Sequence, residues 1–335
     1  MNWEGRITAE FRPFRASENR RSLRDIVAGF IEEQKQTWPL LQKGCEALKQ
    51  VQTRRLELPG AEPCYVLAQF NPGRIRSTAA AVDKASIESR PCFLCVENLP
   101  PEEKGVAYGP DLVITCNPFP ILENHLSIIA RDHVPQSIDG RIESFLMLAR
   151  DLGPEYFTLY NGPRCGASAP NHFHFQACSR SSLPIEEDLL RFRAAADAPG
   201  PGQTQITLLE NSLRSVVVFE GSDHGKLVGG IHKLITNLKL ESGQSEEPLI
   251  NIVALFETGL WRVYVFPRAK HRPSSFFAEG EERLLVSPGA IDMAGTIVMP
   301  DQKEFERVTA GQIATIFSEV SLDTATVNRA LSSLH

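Results

Sequence analysis

The five residues His172-Phe173-His174-Phe175-Gln176 restrict this chain more than any other stretch of it. Polar and apolar side chains alternate, and successive side chains of a strand point to opposite faces. His172, His174 and Gln176 therefore share one face, and Phe173 and Phe175 point the other way into a core. Three polar groups in a row are costly to bury without partners, so something polar must lie against their face. On spacing alone, an exposed amphipathic strand with a chance histidine pair is the competing reading.

An imidazole is a capable nucleophile toward phosphorus at neutral pH. It needs a partner that fixes its tautomer and donors that take up charge on the phosphoryl oxygens. Gln176 carries an amide donor. The preceding Gly166-Ala167-Ser168 turn offers an anion backbone N–H groups and a hydroxyl. The spacing suits nucleotidyl transfer through a covalent phosphohistidine.

A second constellation is Cys92-Phe93-Leu94-Cys95. In a chain without a secretion signal such a pair is a zinc half-site or a redox pair. A redox pair normally opens a helix after a strand. This one lies between Pro91 and the turn-like Glu97-Asn98-Leu99-Pro100-Pro101, closer to a zinc knuckle. Tetrahedral zinc needs two more ligands, for which His133 and His172 are candidates, and iron suits the same donors. Two structural thiols with no metal are the alternative. The seven cysteines are an odd number and read as reduced thiols, not as a disulfide framework.

Around these motifs the pattern is mixed. Helical spacing runs over residues 19–52, and a helix is predicted over Ile142–Leu152. Strand-like runs cover Tyr65–Phe70, Leu112–Cys116, Leu126–Ala130, Tyr156–Tyr160 and Asn171–Cys178. Ala194–Gln203, rich in Ala, Pro and Gly, reads as a linker. After it come strands at Ile206–Leu209 and Ser215–Phe219 and a helix at Leu227–Leu240. A hairpin, Ile250–Phe256 with Trp261–Phe266, turns at Glu257-Thr258-Gly259. Two successive sets of strands and helices make an α+β chain of two halves, 1–198 and 199–335.

The formal charge is -6, which argues against a bulk nucleic-acid surface, and no basic–aromatic interleave or Walker-type phosphate loop is present. No apolar run reaches membrane length, and the N-terminus has no signal-peptide core, so the expectation is a cytoplasmic protein without membrane partners. Local basic groups remain: Arg74 and Arg76 after a strand are candidates to clamp a diphosphate. Arg268, Lys270, His271 and Arg272 at a strand end are candidates for a phosphate or sugar-phosphate site. Solvated surface charge is the alternative for both groups.

Taken together these residues resemble the histidine-triad superfamily, in its branch of galactose-1-phosphate uridylyltransferases and GDP-hexose phosphorylases. Cys92-Phe-Leu-Cys95 with Asp132-His133 resembles the uridylyltransferase zinc motif. Gly166-Ala-Ser-Ala-Pro-Asn-His-Phe-His-Phe-Gln176 resembles the family's histidine strand, and the spelling 171–177 and 287–299 is nearest to the phosphorylases. The resemblance runs from about residue 69 to 178, with an echo at 287–299. It implies two histidine-triad-like halves of antiparallel sheet flanked by helices, the first catalytic and the second degenerate but contributing to the pocket. It implies His174 as nucleophile, Gln176 on the non-bridging phosphoryl oxygens, and Asn161 and Ser168 on phosphate. Cys92, Cys95, His133 and His172 would hold a structural zinc.

The substrate would be a nucleoside-diphosphate sugar, with inorganic phosphate as acceptor and a homodimer as the assembly. A hexose-1-phosphate uridylyltransferase, a dinucleoside-polyphosphate phosphorylase or ATP adenylyltransferase, and a non-catalytic zinc-stabilised nucleotide-binding protein are the alternatives. Phe173 and Phe175 stand where uridylyltransferases have Pro and Gly, so the sugar does not carry over.

Overall fold

Pro39 divides the helical stretch that the spacing predicts over residues 19–52. A residue before proline is pushed out of the helical region, and Trp38 is extended at φ -120°, ψ 98°. One helix ends at Thr37, and the next begins with the proline at its first position. The corner buries Trp38. The structure, a computed structural model, describes residues 3–60, 64–74, 86–87, 90–180, 183–192, 202–209, 213–243 and 245–332.

In chain order the elements are β1 (Ile7–Phe11), α1 (Leu23–Thr37), α2 (Pro39–Leu48), β2 (Gln52–Leu58), β3 (Cys64–Phe70), β4 (Gly105–Tyr108), β5 (Leu112–Cys116) and β6 (Leu126–Ala130). Then come α3 (Ile142–Leu152), β7 (Tyr156–Asn161), β8 (His174–Ser179), α4 (Pro184–Phe192), β9 (Thr204–Leu209), β10 (Val216–Gly221), α5 (His224–Glu241), β11 (Ile250–Glu257) and β12 (Leu260–Pro267). The chain continues with α6 (Ala290–Met293), β13 (Thr296–Met299), α7 (Gln302–Arg307), α8 (Ala310–Val320) and α9 (Thr324–Ser332).

The fold is mixed α+β. Ten strands form one sheet in the order β1-β4-β5-β6-β8-β7-β11-β12-β10-β9, and every pair in it is antiparallel except β1 with β4. β7 pairs with β11, so strands from before and after residues 193–201 share one sheet. A second sheet has the order β13-β3-β2, with β13 parallel to β3. The period of two sorts the ten-stranded sheet onto two cores. Phe173, Phe175 and Tyr160 pack with α1, α3, α5 and α9 on one face. Phe157, Leu159 and Cys178 face the other way, toward β3, β13, α4, α6 and α8.

Most predicted elements lie where expected. β5, β6 and α3 have the predicted bounds, and the β11–β12 hairpin turns through Thr258 and Gly259, both at positive φ (51° and 82°) as a two-residue turn of this hand requires. The strand expected from Asn171 starts at His174. Phe173 still points into the core, but His172 lies ahead of the strand, its N–H bonded to Ala169 O at 3.1 Å. The predicted linker lies outside the described residues except for Gly202 and Gln203. Among the described residues no helix is long and apolar enough to cross a membrane.

One buried ion pair ties α4 to the start of β10. Arg214 Nη2 meets Asp188 Oδ2 at 2.6 Å with both side chains fully buried, and the guanidinium also covers the Phe317 ring. Removing one partner strands the other's charge. Arg214→Leu should therefore lose about 3 kcal/mol of stability in urea unfolding. A loss under about 0.5 kcal/mol, the size of an exposed pair, would refute this.

Candidate active site

β8 is an interior strand with β6 on one side and β7 on the other. The register sets Thr115, Ser127, Gln176 and Leu159 side by side across β5, β6, β8 and β7. The ladder between β7 and β8 ends at Leu159–Gln176. Beyond it the buried Gln136 amide stands in for backbone. Its Oε1 accepts the His174 N–H at 2.8 Å, and its Nε2 donates to His174 O at 3.0 Å and to Asn161 O at 2.9 Å.

The tautomers of the two histidines follow from their partners, because a carbonyl can only accept. His174 Nδ1 lies 2.9 Å from His172 O and so carries the proton, leaving Nε2 with its lone pair. His172 is the reverse. Its Nε2 donates to Ala130 O at 2.9 Å, and its Nδ1 is the free nitrogen. Burial pushes His174 down to about 4, so it is neutral at physiological pH.

Gln176 is oriented by the same logic. The Ile121 N–H donates to His125 Nδ1 at 3.2 Å, so the proton of that ring is on Nε2. Nε2 then donates to Gln176 Oε1 at 2.8 Å, and the Gln176 amide presents its N–H₂ end away from His125. His125 is buried, which pushes it down to about 3 and keeps this donor neutral. Asn161 Oδ1 likewise accepts from Asn251 Nδ2 and from the Ala290 N–H, each at 2.8 Å. Gly166, at φ +98°, lets the 162–169 turn come close to Gly289, where a Cβ would lie 3.2 Å from the Gly289 Cα.

A cavity of about 420 Å³ opens over this face. Gln176, Asn161, Ser168 and Asp292 line it toward the second half of the chain; Trp38, Phe93, Phe119, Glu103 and Thr115 line it toward α1 and β5. His174 is 4% exposed and stands behind the lining, on the face that Gln176 shares. Three arginines line the cavity. Arg74 donates to Phe119 O at 3.0 Å and Arg90 to Ser168 O at 3.0 Å, while Arg272 lies over the Phe276 ring. Burial holds Arg74 down to about 10, still a cation. Asp292, raised to about 6 by burial, accepts the Val298 and Gly289 N–H groups and so joins β13 to the cavity wall.

Beside this wall the structure gathers Cys92, Cys95, His133 and His172, one ligand atom of each lying within 4.8 Å of the others. The His172 Nδ1 is 3.3 Å from Cys92 Sγ and 3.5 Å from Cys95 Sγ, and His133 Nδ1 is 3.0 Å from Cys95 Sγ. A zinc tetrahedron, with bonds near 2.3 Å to sulfur and 2.1 Å to nitrogen, has S···N edges of about 3.5 Å. The donor set, its spacing and the fixed His172 tautomer all fit a tetrahedral ion. Phe93 and Leu94, between the two cysteines, line the cavity, so the Cys92–Cys95 loop is also cavity wall.

Of the basic groups picked out in sequence, Arg74, His271 and Arg272 line the cavity, and Arg268 and Lys270 do not. Arg268 is buried and braces the fold: it donates to Asn251 Oδ1 and to the carbonyls of Pro288, Val320, Lys270 and His271. Lys270 pairs with Glu319 at 2.6 Å. Arg76 lies outside the described residues. Gln136, Arg90, Glu103 and His125 have no spacing signal that would have found them.

Residues 205–331 match the family described as GDPGP1-like, C-terminal domain, and residues 30–179 match Domain of unknown function (DUF4922). In fold the chain is similar to yeast Ap4A phosphorylase Apa2, at 15% identity and a TM-score of 0.57 over 86% of this chain and 97% of that one. That protein's complex with Ap4A gives 14% and 0.56 over 86% and 97%. Its complex with AMP gives 16% and 0.55 over 87% and 96%. No curated protein matches the chain at a significant level.

Proposed function

We propose, for a chain that is a histidine-triad-superfamily relative of the galactose-1-phosphate uridylyltransferase-like branch, a nucleotidyltransferase that phosphorolyses a nucleoside-diphosphate sugar. The observation that carries this is the unprotonated Nε2 of His174 beside a Gln176 amide whose donor end is set by His125. In the first step Nε2 attacks the α-phosphorus. An N–P bond forms, the P–O bond to the β-phosphate breaks, and hexose 1-phosphate leaves with the electron pair. Gln176, Asn161 and Ser168 donate to the phosphoryl oxygens, and Arg74, Arg90 and Arg272 offset the charge of the leaving phosphate. In the second step an oxygen of inorganic phosphate attacks the same phosphorus and releases His174 and the nucleoside diphosphate. At the far end, Phe93 (46% exposed) and Phe119 (37% exposed) line the cavity as large apolar surfaces suited to a base.

Cys92, Cys95, His133 and His172 would hold zinc, which when bound supplies a fixed structural cross-link. The chain's own contribution is positional: His172 O accepts the Nδ1 proton of His174. The fold of yeast Ap4A phosphorylase supports a second reading, in which the donor is a dinucleoside polyphosphate.

Intact-protein mass spectrometry after incubation with GDP-, UDP- or ADP-glucose, or with Ap4A, and no acceptor tests both. An acid-labile gain of one nucleoside monophosphate is expected, and the donor that gives it names the base and the class. No gain with any of the four, alongside tight nucleotide binding, would replace the proposal with the non-catalytic binder.

Gln136 offers a graded test of positioning. Gln136→Leu removes three hydrogen bonds to the His174 and Asn161 peptides without touching the cavity. Adduct formation should slow about 100-fold, as a displaced nucleophile does, while nucleotide affinity changes less than about threefold. An equal loss in both would mean that Gln136 supports the fold alone.

A further inference from the structure

The base end of the cavity contains a carboxyl group that the transfer reaction does not use. Glu103 lines the cavity and is 6% exposed. Its side chain faces the Thr115 hydroxyl, which also reaches Ser127 O at 3.5 Å. Arg6, whose charge acts on this carboxyl, gives its guanidinium to the carbonyls of Leu99, Pro100 and Glu103 itself. Among the described residues no salt bridge reaches the Glu103 carboxylate. A buried carboxyl with one neutral partner calls for donors from outside the chain.

We propose that Glu103 reads the Watson–Crick edge of the substrate base and selects guanine; this rests on the nucleotide reading above. The sheet supplies the ruler. From Gln176 through Ser127 to Thr115 is two strand spacings, about 10 Å, the reach of a nucleoside monophosphate from its phosphate to the far edge of its base. A phosphoryl group at Gln176 therefore sets the base edge at Glu103 and Thr115. Phe93, Phe119 and Trp38 line the same end and suit the faces of the ring.

The hydrogen-bond inventory picks the base. A carboxylate offers two parallel acceptor oxygens and no donor. Guanine presents two adjacent donors on that edge, N1–H and the 2-amino group, and matches it bidentately. Adenine presents its 6-amino donor beside the bare N1, whose lone pair would face an oxygen. Uracil presents one N–H between two carbonyls, and cytosine one amino group beside a bare N3. A site built to accept two donors rejects each of these by leaving an oxygen unpaired or repelled.

The test reads binding, which needs no chemistry. GDP, IDP and ADP are titrated calorimetrically into the full-length, metal-loaded protein and into Glu103→Gln. In the native protein GDP should bind about 1000-fold more tightly than ADP. It should bind more than 10-fold more tightly than IDP, which lacks the 2-amino donor. The glutamine amide offers one donor and one acceptor, the complement of adenine, so Glu103→Gln should weaken GDP about 100-fold and strengthen ADP. GDP and ADP binding within threefold of each other in the native protein would overturn the proposal. So would ADP binding best, as to a protonated Glu103, an equal loss of both in the variant, or no binding of either. If Glu103→Gln does not fold, the GDP–IDP ratio on native protein decides alone. Nucleotidyl-enzyme formation is measured separately, so a failed transfer reaction and a failed base assignment give different results.

Discussion

His174→Ala should form no nucleotidyl-enzyme, with the rate of transfer down at least about 10,000-fold. The effect is large because nothing nearby replaces the lost nitrogen. The other histidine of the pair, His172, turns its free Nδ1 toward Cys92 and Cys95, away from the phosphoryl site. His125 is spent between Ile121 and Gln176, and His271 lies 3.1 Å from the Ser287 hydroxyl. Nucleotide affinity should hold within about threefold, since His174 stands behind the cavity lining. Single-turnover release of hexose 1-phosphate, read beside calorimetric binding, separates the two quantities. An adduct that survives the substitution at the native rate would move the nucleophile elsewhere and end the proposed mechanism.

Loss of the proposed zinc should cut transfer less steeply but damage binding and stability as well, by another route. Two of its ligands flank Phe93 and Leu94 in the cavity wall, and a third, His172, holds the carbonyl that fixes the His174 tautomer. Cys95→Ser, or prolonged chelation, should therefore weaken nucleotide binding by more than about 10-fold and cut transfer by more than about 100-fold. The melting temperature should fall on the order of 10 °C, because metal-ligand binding energy is folding energy here. His133 is the exposed ligand, and His133→Ala keeps three donors, so its loss should be milder. Elemental analysis should find about one zinc per native chain and far less in Cys95→Ser. A native protein free of metal that melts with Cys95→Ser would leave the pair as plain thiols.

What was legible in the chain was what periodicity carries. The alternation at 172–176 set Phe173 and Phe175 on the helix-covered core and turned His174 and Gln176 the other way. A Cys-x-x-Cys beside a turn pointed to ligand histidines 38 and 77 residues from Cys95, and the fold brings all four together. Side-chain direction in the loops, which have no such period, was not legible. The run Arg268–Arg272 looked like one cationic loop. The residues divide because Arg268 meets the Pro288 and Val320 carbonyls, both distant in sequence, while Arg272 reaches the cavity. Gln136 and Glu103 are single polar residues without a pattern around them. Their importance comes from what the sheet places beside them, the end of the β7–β8 ladder and the Thr115 hydroxyl.

The parallel pairing of β3 with β13 has a consequence for synthesis. A ribosome extrudes β3, the Cys92–Cys95 pair and the histidine strand long before Gly289–Met299. Until that late segment emerges, β3 has only β2 beside it, Asn161 lacks the Ala290 amide, and the cavity has no wall at Asp292 and Val298. A nascent or stalled chain thus carries the histidine strand without the cavity that the finished fold places over it. The cavity is completed only late in translation, when the segment that forms its last wall emerges.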